Sequence, residues 1–109
     1  MNLISEEDVE RALHWLVENA VPAAKARAER HYLEDYAKVL EARIMAEHDN
    51  LSAVLQKRHA LADDRYLTHL NALREAREID FKHTFLREAA TAKIEAWRTQ
   101  SATERAMKL

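Results

Sequence analysis

The fold is decided by residues 64–99, which read DRYLTHLNALREAREIDFKHTFLREAATAKIEAWRT. This stretch has no glycine or proline, and most of its residues are strong helix formers such as Ala, Leu, Glu, Lys and Arg. The pattern predicts a helix that runs from residue 63 to residue 99. At 1.5 Å per residue such a helix is roughly 50 Å long, so the other elements must pack along it.

Apolar residues occupy two opposite sides of this predicted helix, at about 100° per residue. One side holds Ile79, Leu86, Ala90, Ile94 and Trp97. The other side holds Leu67, Phe81, Phe85, Ala89 and Ala92. A single helical partner cannot cover both sides. We therefore expect the second side to meet the first helix, another chain, or both; the pattern favours both and predicts a homo-oligomer.

The composition argues against chemistry that is built on loops. The chain has no glycine, one proline (Pro22) and no cysteine. Phosphate-binding loops and nucleophile elbows depend on glycine, while disulfides, thiolate zinc sites and cysteine nucleophiles depend on cysteine. The sequence therefore predicts a protein that is not an enzyme and carries no cofactor.

The first half of the chain predicts two helices. The first spans 5–20, with Ser5 as its N-cap and carboxylates in its first turn. The second spans 22–48 and begins at Pro22, whose fixed φ suits a first helical position. A turn follows, in which we expect Asn50 to adopt the left-handed conformation that glycine would otherwise supply.

The boundaries after this turn leave one alternative open. Residues 52–62 form either a separate short helix or the beginning of the long one, because Asp63 and Asp64 suit both a cap and an exposed helix surface. Ser101 and Glu104 match a capping box. They predict a break after residue 99 and a terminal helix over 102–108.

Together these elements predict an all-α fold with a single domain over 1–109. Residues 22–48 and 63–99 form a long antiparallel hairpin, the first helix folds against it, and the whole resembles a coiled-coil bundle. The expected core comprises Leu33, Leu40, Ile44, Leu73, Leu86, Ile94 and Trp97. The expected interface comprises Trp15, Leu67, Phe81 and Phe85. For Trp15 the alternative is that it lies over a neighbouring helix with its N–H in water.

Charge is divided unevenly between the two halves of the chain. Residues 1–50 carry 6 Lys/Arg and 11 Asp/Glu, whereas residues 51–109 carry 11 and 8. Opposite signs favour pairing within a hairpin. The alternative is a nucleic-acid-binding surface in the basic half. Its residues would be Lys82, Arg87, Lys93, Arg98, Arg105 and Lys108.

The histidines do not form a recognisable metal-binding pattern. They are His14, His31, His48, His59, His69 and His83. No His-x-x-x-His pair and no Glu-x-x-His motif occurs among them. A metal-binding bundle is thus a third and weaker hypothesis, and we expect no metal.

The N-terminal residues lack the basic and apolar regions of a signal peptide. No apolar run approaches the roughly 18 residues of a transmembrane helix. We therefore expect a cytoplasmic protein that does not bind membranes.

Two stretches resemble a group of small helical proteins encoded by tailed phages and prophages. One is Ile94–Ser101 (IEAWRTQS) followed by RAM at 105–107; the other is YLEDYAKV at 32–39 followed by ARIMAE at 42–47. The resemblance implies a phage-related protein in the host cytoplasm, acting with a phage or host protein as an accessory to recombination or replication. It carries no functional residue over to this chain.

Overall fold

A computed structural model describes residues 3–108, which form four α-helices and no strand. The helices are α1 (Glu6–Glu18), α2 (Ala20–Ala46), α3 (Ala53–Ala62) and α4 (Asp64–Met107). The predicted all-α class is confirmed. Contacts divide the chain into two compact units, Met1–Ala24 with Phe81–Leu109 and Lys25–Asp80.

The helix bounds differ from the sequence prediction at several ends: α1 and α2 each end two residues earlier than expected, and α4 and the start of α2 differ further. α4 has 44 residues and continues through the break expected after residue 99. Ser101 and Glu104 therefore lie within α4 and do not form the expected capping box of a new helix. The Thr103 hydroxyl donates to the Thr99 carbonyl along the same helix, over 3.0 Å. α2 begins at Ala20, and Pro22 therefore lies in its first turn, where a backbone N–H is not needed.

The turn between α2 and α3 forms without any left-handed residue. No described residue has a positive φ, so the expected left-handed conformation of Asn50 is wrong. The turn is instead built from hydrogen bonds between residues three apart, as in a 3₁₀ helix. The N–H of His48 donates to the Met45 carbonyl, and that of Leu51 donates to the His48 carbonyl, each over 3.0 Å. Ser52 then caps α3.

Asp63 separates α3 from α4 and resolves the alternative that the sequence left open. Its backbone is extended, with φ −74° and ψ 137°, and its carboxylate accepts the Arg65 N–H over 2.8 Å. The Arg65 guanidinium also bonds this carboxylate, which lowers the pKa of Asp63 to about 2. Arg65 donates in addition to Glu47, just beyond the end of α2. These bonds fix the chain where it reverses direction.

The unit Lys25–Asp80 contains the main apolar core. Its buried residues are Leu40, Ile44 and Ala60, flanked by Tyr36, Met45 and Tyr66. Ala60 brings α3 against this core, because its small side chain allows a close approach. Within this unit α2 and α4 run antiparallel, since Arg30 contacts Asp80 whereas Glu47 contacts Arg65.

In the unit of Met1–Ala24 and Phe81–Leu109, α1 packs antiparallel to α4. Ser5 caps α1 through a reciprocal capping box with Asp8. Near the start of α1, the Gln100 amide donates to the Ile4 carbonyl over 2.9 Å. Val9, Ala12 and Ala90 are buried between the two helices.

The predicted core is found in part. Leu40, Ile44 and Leu73 are buried, and Leu33, Ile94 and Trp97 are half-buried. Leu86 is exposed, which corrects its placement in the core. It lines an open groove between α1 and α4 together with Ala12 and Ala90, and 43% of its surface is exposed there.

Candidate interaction surface

The packed side of α4 follows alternating steps of three and four residues. We call this side the inner face; it comprises Tyr66, His69, Leu73, Ala76, Asp80, His83, Ala90, Ile94, Trp97, Ser101 and Glu104, all buried or half-buried. Between His83 and Ala90 the series passes over Arg87, which is exposed. Several of these positions are polar, although their spacing is that of an apolar heptad stripe. Spacing therefore predicts burial on α4 for polar as well as apolar residues, with Arg87 as an exception.

Asp80 is the most deeply buried charged residue on the inner face. Only 2% of its surface is exposed. Its carboxylate accepts hydrogen bonds from Nε of Arg30, 2.5 Å away, and from Nε of Arg27, 3.4 Å away. Burial alone would raise the pKa of Asp80, but the hydrogen bond from Arg30 and the positive charges of both arginines outweigh it and lower the pKa. Asp80 is therefore held as an anion.

Glu34 extends this pair into a network between α2 and α4. It accepts from Nη1 of Arg30 over 2.9 Å and lies 3.5 Å from Nε of Arg77. The hydrogen bond from Arg30 lowers the pKa of Glu34. Cations and anions thus alternate from Asp80 to Arg77. Each of these four groups has a partner of opposite charge within the protein, and together they connect α2 to α4.

Two histidines also lie on the inner face. Nε2 of His69 is 2.6 Å from the Leu33 carbonyl oxygen, so this nitrogen carries the proton and donates. The His69 ring also lies 5.4 Å from that of Tyr36, measured between centroids. Nδ1 of His83 is buried and has no hydrogen-bond partner among residues 3–108.

The remaining histidines do not assemble a metal site. The rings of His48 and His59 stack with their centroids 4.3 Å apart. Within the described part of the chain, no three His, Asp or Glu side chains converge as metal ligands would.

The opposite side of α4 exposes a continuous apolar stripe. We call it the outer stripe; it comprises Phe81, Phe85, Ala89, Ala92 and Ala96, which are all exposed. These positions fall within about 80° of one another and lie about 140° from the mean direction of the inner-face residues in the same unit, His83 to Glu104. Phe81 is 48% exposed and Phe85 is 65% exposed. Large aromatic side chains in water on the unpacked side of a helix are typical of an interaction surface.

Trp15 borders this stripe from α1. It is half-buried and lines a groove of about 340 Å³ together with Leu86, Ala89 and Lys93. Trp15 therefore lies over a neighbouring helix, and it also adds apolar surface beside Ala89. Two of the predicted interface positions, Trp15 and Phe85, thus belong to one unit and flank the same residue.

Leu67 is the predicted interface residue that lies elsewhere. It belongs to the unit Lys25–Asp80 and is 58% exposed. The outer stripe begins at Phe81, in the other unit. The sequence pattern grouped Leu67 with the phenylalanines because all three share one side of α4.

The basic residues of the C-terminal half do not form a single surface. Lys82 and Lys93 project within about 20° of each other, whereas Arg87, Arg98 and Arg105 project about 140° away on the same helix. Arg98 also pairs with Glu95 over 3.0 Å. A helix bound along a nucleic-acid backbone would need its cations on one side. The arrangement therefore gives the nucleic-acid hypothesis little support.

No helix within residues 3–108 is both long and apolar enough to cross a membrane. Two features of α4 thus require an explanation: the ion-pair network of Asp80, Arg30, Glu34 and Arg77, and the outer stripe. The steps of three and four residues that lead from Leu73 to Ala76 also reach Asp80. Asp80 was missed because only apolar residues were sought at that spacing. No protein-family model matches the chain, and no curated protein or solved structure is found to be similar to it.

Proposed function

We propose that this chain is a non-enzymatic interaction protein that associates with further copies of itself through the outer stripe of α4. The observation that carries the proposal is the exposure of Phe81 and Phe85 on the side of α4 opposite its packed face. Burying a phenylalanine contributes roughly 1.5–3 kcal/mol. Phe81 and Phe85 still expose 48% and 65% of their surfaces, so their further burial in each protomer would contribute part of this gain toward the cost of association.

The biological setting follows from the sequence resemblance. The Ile94–Ser101 ending supports a phage-related protein that works in the host cytoplasm. There it serves as an oligomeric accessory to recombination or replication and contacts a phage or host protein. The local genes of the source would test this setting, since an accessory of this kind is encoded beside replication or recombination enzymes.

Light scattering over a range of concentrations tests self-association. We expect the wild-type mass to exceed that of one chain at tens of micromolar. The double variant Phe81→Ala with Phe85→Ala should shift association to at least tenfold higher concentration, with helix content unchanged by circular dichroism.

The matched control changes two exposed apolar residues on α3, Val54→Ala with Leu61→Ala. This control should leave the association midpoint unchanged. A wild-type protein that stays monomeric at several hundred micromolar would contradict the proposal.

A further inference from the structure

The outer stripe is bordered by opposite charges on its two sides. Glu88 and Glu95 flank one side, and Lys93 flanks the other; all three are exposed. Each projects about 60–80° from the centre of the stripe. These are the positions at which residues bordering a helix–helix interface meet their counterparts on a partner helix.

Such borders distinguish the two ways of pairing this helix with a second copy. A parallel two-fold pair places the acidic border of one helix beside the basic border of the other. An antiparallel pair places acidic beside acidic and basic beside basic, which is destabilising. The charges are therefore self-complementary in the parallel arrangement alone.

The spacing of the charges agrees with this arrangement. Lys93 follows Glu88 by five residues, which is the offset between a g position and the next e position of a parallel partner. In this register Phe85, Ala92 and Thr99 occupy d positions, and Ala89 and Ala96 occupy a positions. One heptad earlier the register would place Lys82 at an a position and Phe81 at a g position, so the paired segment begins at Phe85 and Phe81 lies at its edge. Two-fold symmetry then forms the Glu88–Lys93 ion pair twice.

We infer that the outer stripe binds the outer stripe of a second copy, parallel and in register, with Glu88 of each chain paired to Lys93 of the other. This inference rests on the proposed function and specifies its partner and orientation. In such a dimer the Phe85 side chains of the two copies meet, and the alanines that follow let the helices approach closely.

Disulfide mapping tests the orientation directly, because the chain has no cysteine of its own. Ala89→Cys and Thr103→Cys place single thiols at two a positions about 21 Å apart along α4. In a parallel pair in register, each variant cross-links with itself upon mild oxidation. The control Thr91→Cys lies on α4 outside the stripe and should remain uncross-linked.

Charge reversal tests the ion pair independently. Glu88→Lys or Lys93→Glu alone places like charges together twice in each dimer and should weaken dimerisation about tenfold. The double variant restores opposite charges and should recover the wild-type dissociation constant. Circular dichroism of each monomer confirms that helix content is unchanged.

The failures of the two proposals are distinguishable. Cross-linking that requires a mixture of Ala89→Cys and Thr103→Cys, or tighter dimerisation by Glu88→Lys alone, would show antiparallel pairing and overturn the inference while the proposed function stands. A wild-type monomer at several hundred micromolar overturns the proposed function itself.

Discussion

The two sides of α4 distribute polarity in opposite senses. The inner face buries His69 and Asp80, whereas the outer stripe exposes Phe81 and Phe85. A charge is tolerated inside where the facing helix supplies a counter-charge, as Arg30 does for Asp80. Apolar side chains remain outside where the protomer has no further helix to cover them. The comparison shows that the partner available at a position, as much as residue type, determines where a side chain lies.

The buried ion pair also constrains how α2 and α4 align. A shift by one heptad would place Asp80 opposite Ala23 or Ala37 in place of Arg30. Neither alanine can neutralise or hydrogen-bond a carboxylate. A polar residue at a core position selects one alignment in this manner in coiled coils, usually at a cost in stability. We therefore interpret Asp80 as a residue that sets the register.

The largest difference in stability between the two sides of α4 is expected when a leucine on each side is replaced by alanine. Leu73 is 4% exposed on the inner face and Leu67 is 58% exposed on the other side of α4. Leu73→Ala should lower the free energy of unfolding by about 4 kcal/mol, because it leaves a cavity. Leu67→Ala should change it by less than about 0.5 kcal/mol. Urea unfolding of both variants measures the difference, and equal effects would contradict the assignment of the two sides.

A smaller loss is expected from the buried carboxylate. Asp80→Ala should cost about 3 kcal/mol, at the low end for breaking a buried ion pair, because Arg27 and Arg30 reach solvent. Replacing the pair by Asp80→Leu with Arg30→Leu should recover most of this loss. If the double variant were as unstable as Asp80→Ala, packing at this position rather than an uncompensated charge would explain the effect.

The smallest expected effect is the loss of stability at acidic pH that is due to Asp80. The folded-state pKa of Asp80 lies below its ordinary value of 3.8, so the unfolded chain binds more protons as the pH falls. The contribution of this carboxylate is complete above about pH 4 and is lost as the pH falls through the folded-state pKa. Thermal unfolding between pH 2 and 7 should show stability falling below about pH 4, less steeply in Asp80→Asn. Identical slopes in the two proteins would contradict the role of Asp80.

Much of the fold followed from the sequence because its helices are long and their apolar spacing is regular. Ser5 was identified as a cap by its chemistry, and Leu40 and Ile44 as core by their spacing. Asp80 and Arg30 were missed because each looks like an exposed residue unless the other is known to face it. That pairing depends on how α2 aligns with α4, which is a property of tertiary structure.

The site was predictable to a similar degree. Phe81 and Phe85 were placed on the second apolar side of the long helix, and the structure leaves both exposed. The six basic residues were grouped by their position in the chain alone; five of them lie on α4 and project in two directions, and Lys108 follows the end of the helix. Leu86 was assigned to the core because it shares the apolar spacing of Ala90 and Ile94. It lies at an open groove beside α1, and spacing along α4 does not show how far α1 covers it.

The turn between α2 and α3 has a consequence for the unfolded chain. Because no described residue has a positive φ, no position of this turn requires glycine, although proline would remove the N–H that His48 or Leu51 donates. Glycine at Asn50 would relieve no strain, and it would widen the conformations open to the denatured ensemble. The absence of glycine thus limits the conformational entropy of the unfolded chain. Folding loses less entropy as a result, which favours the native state.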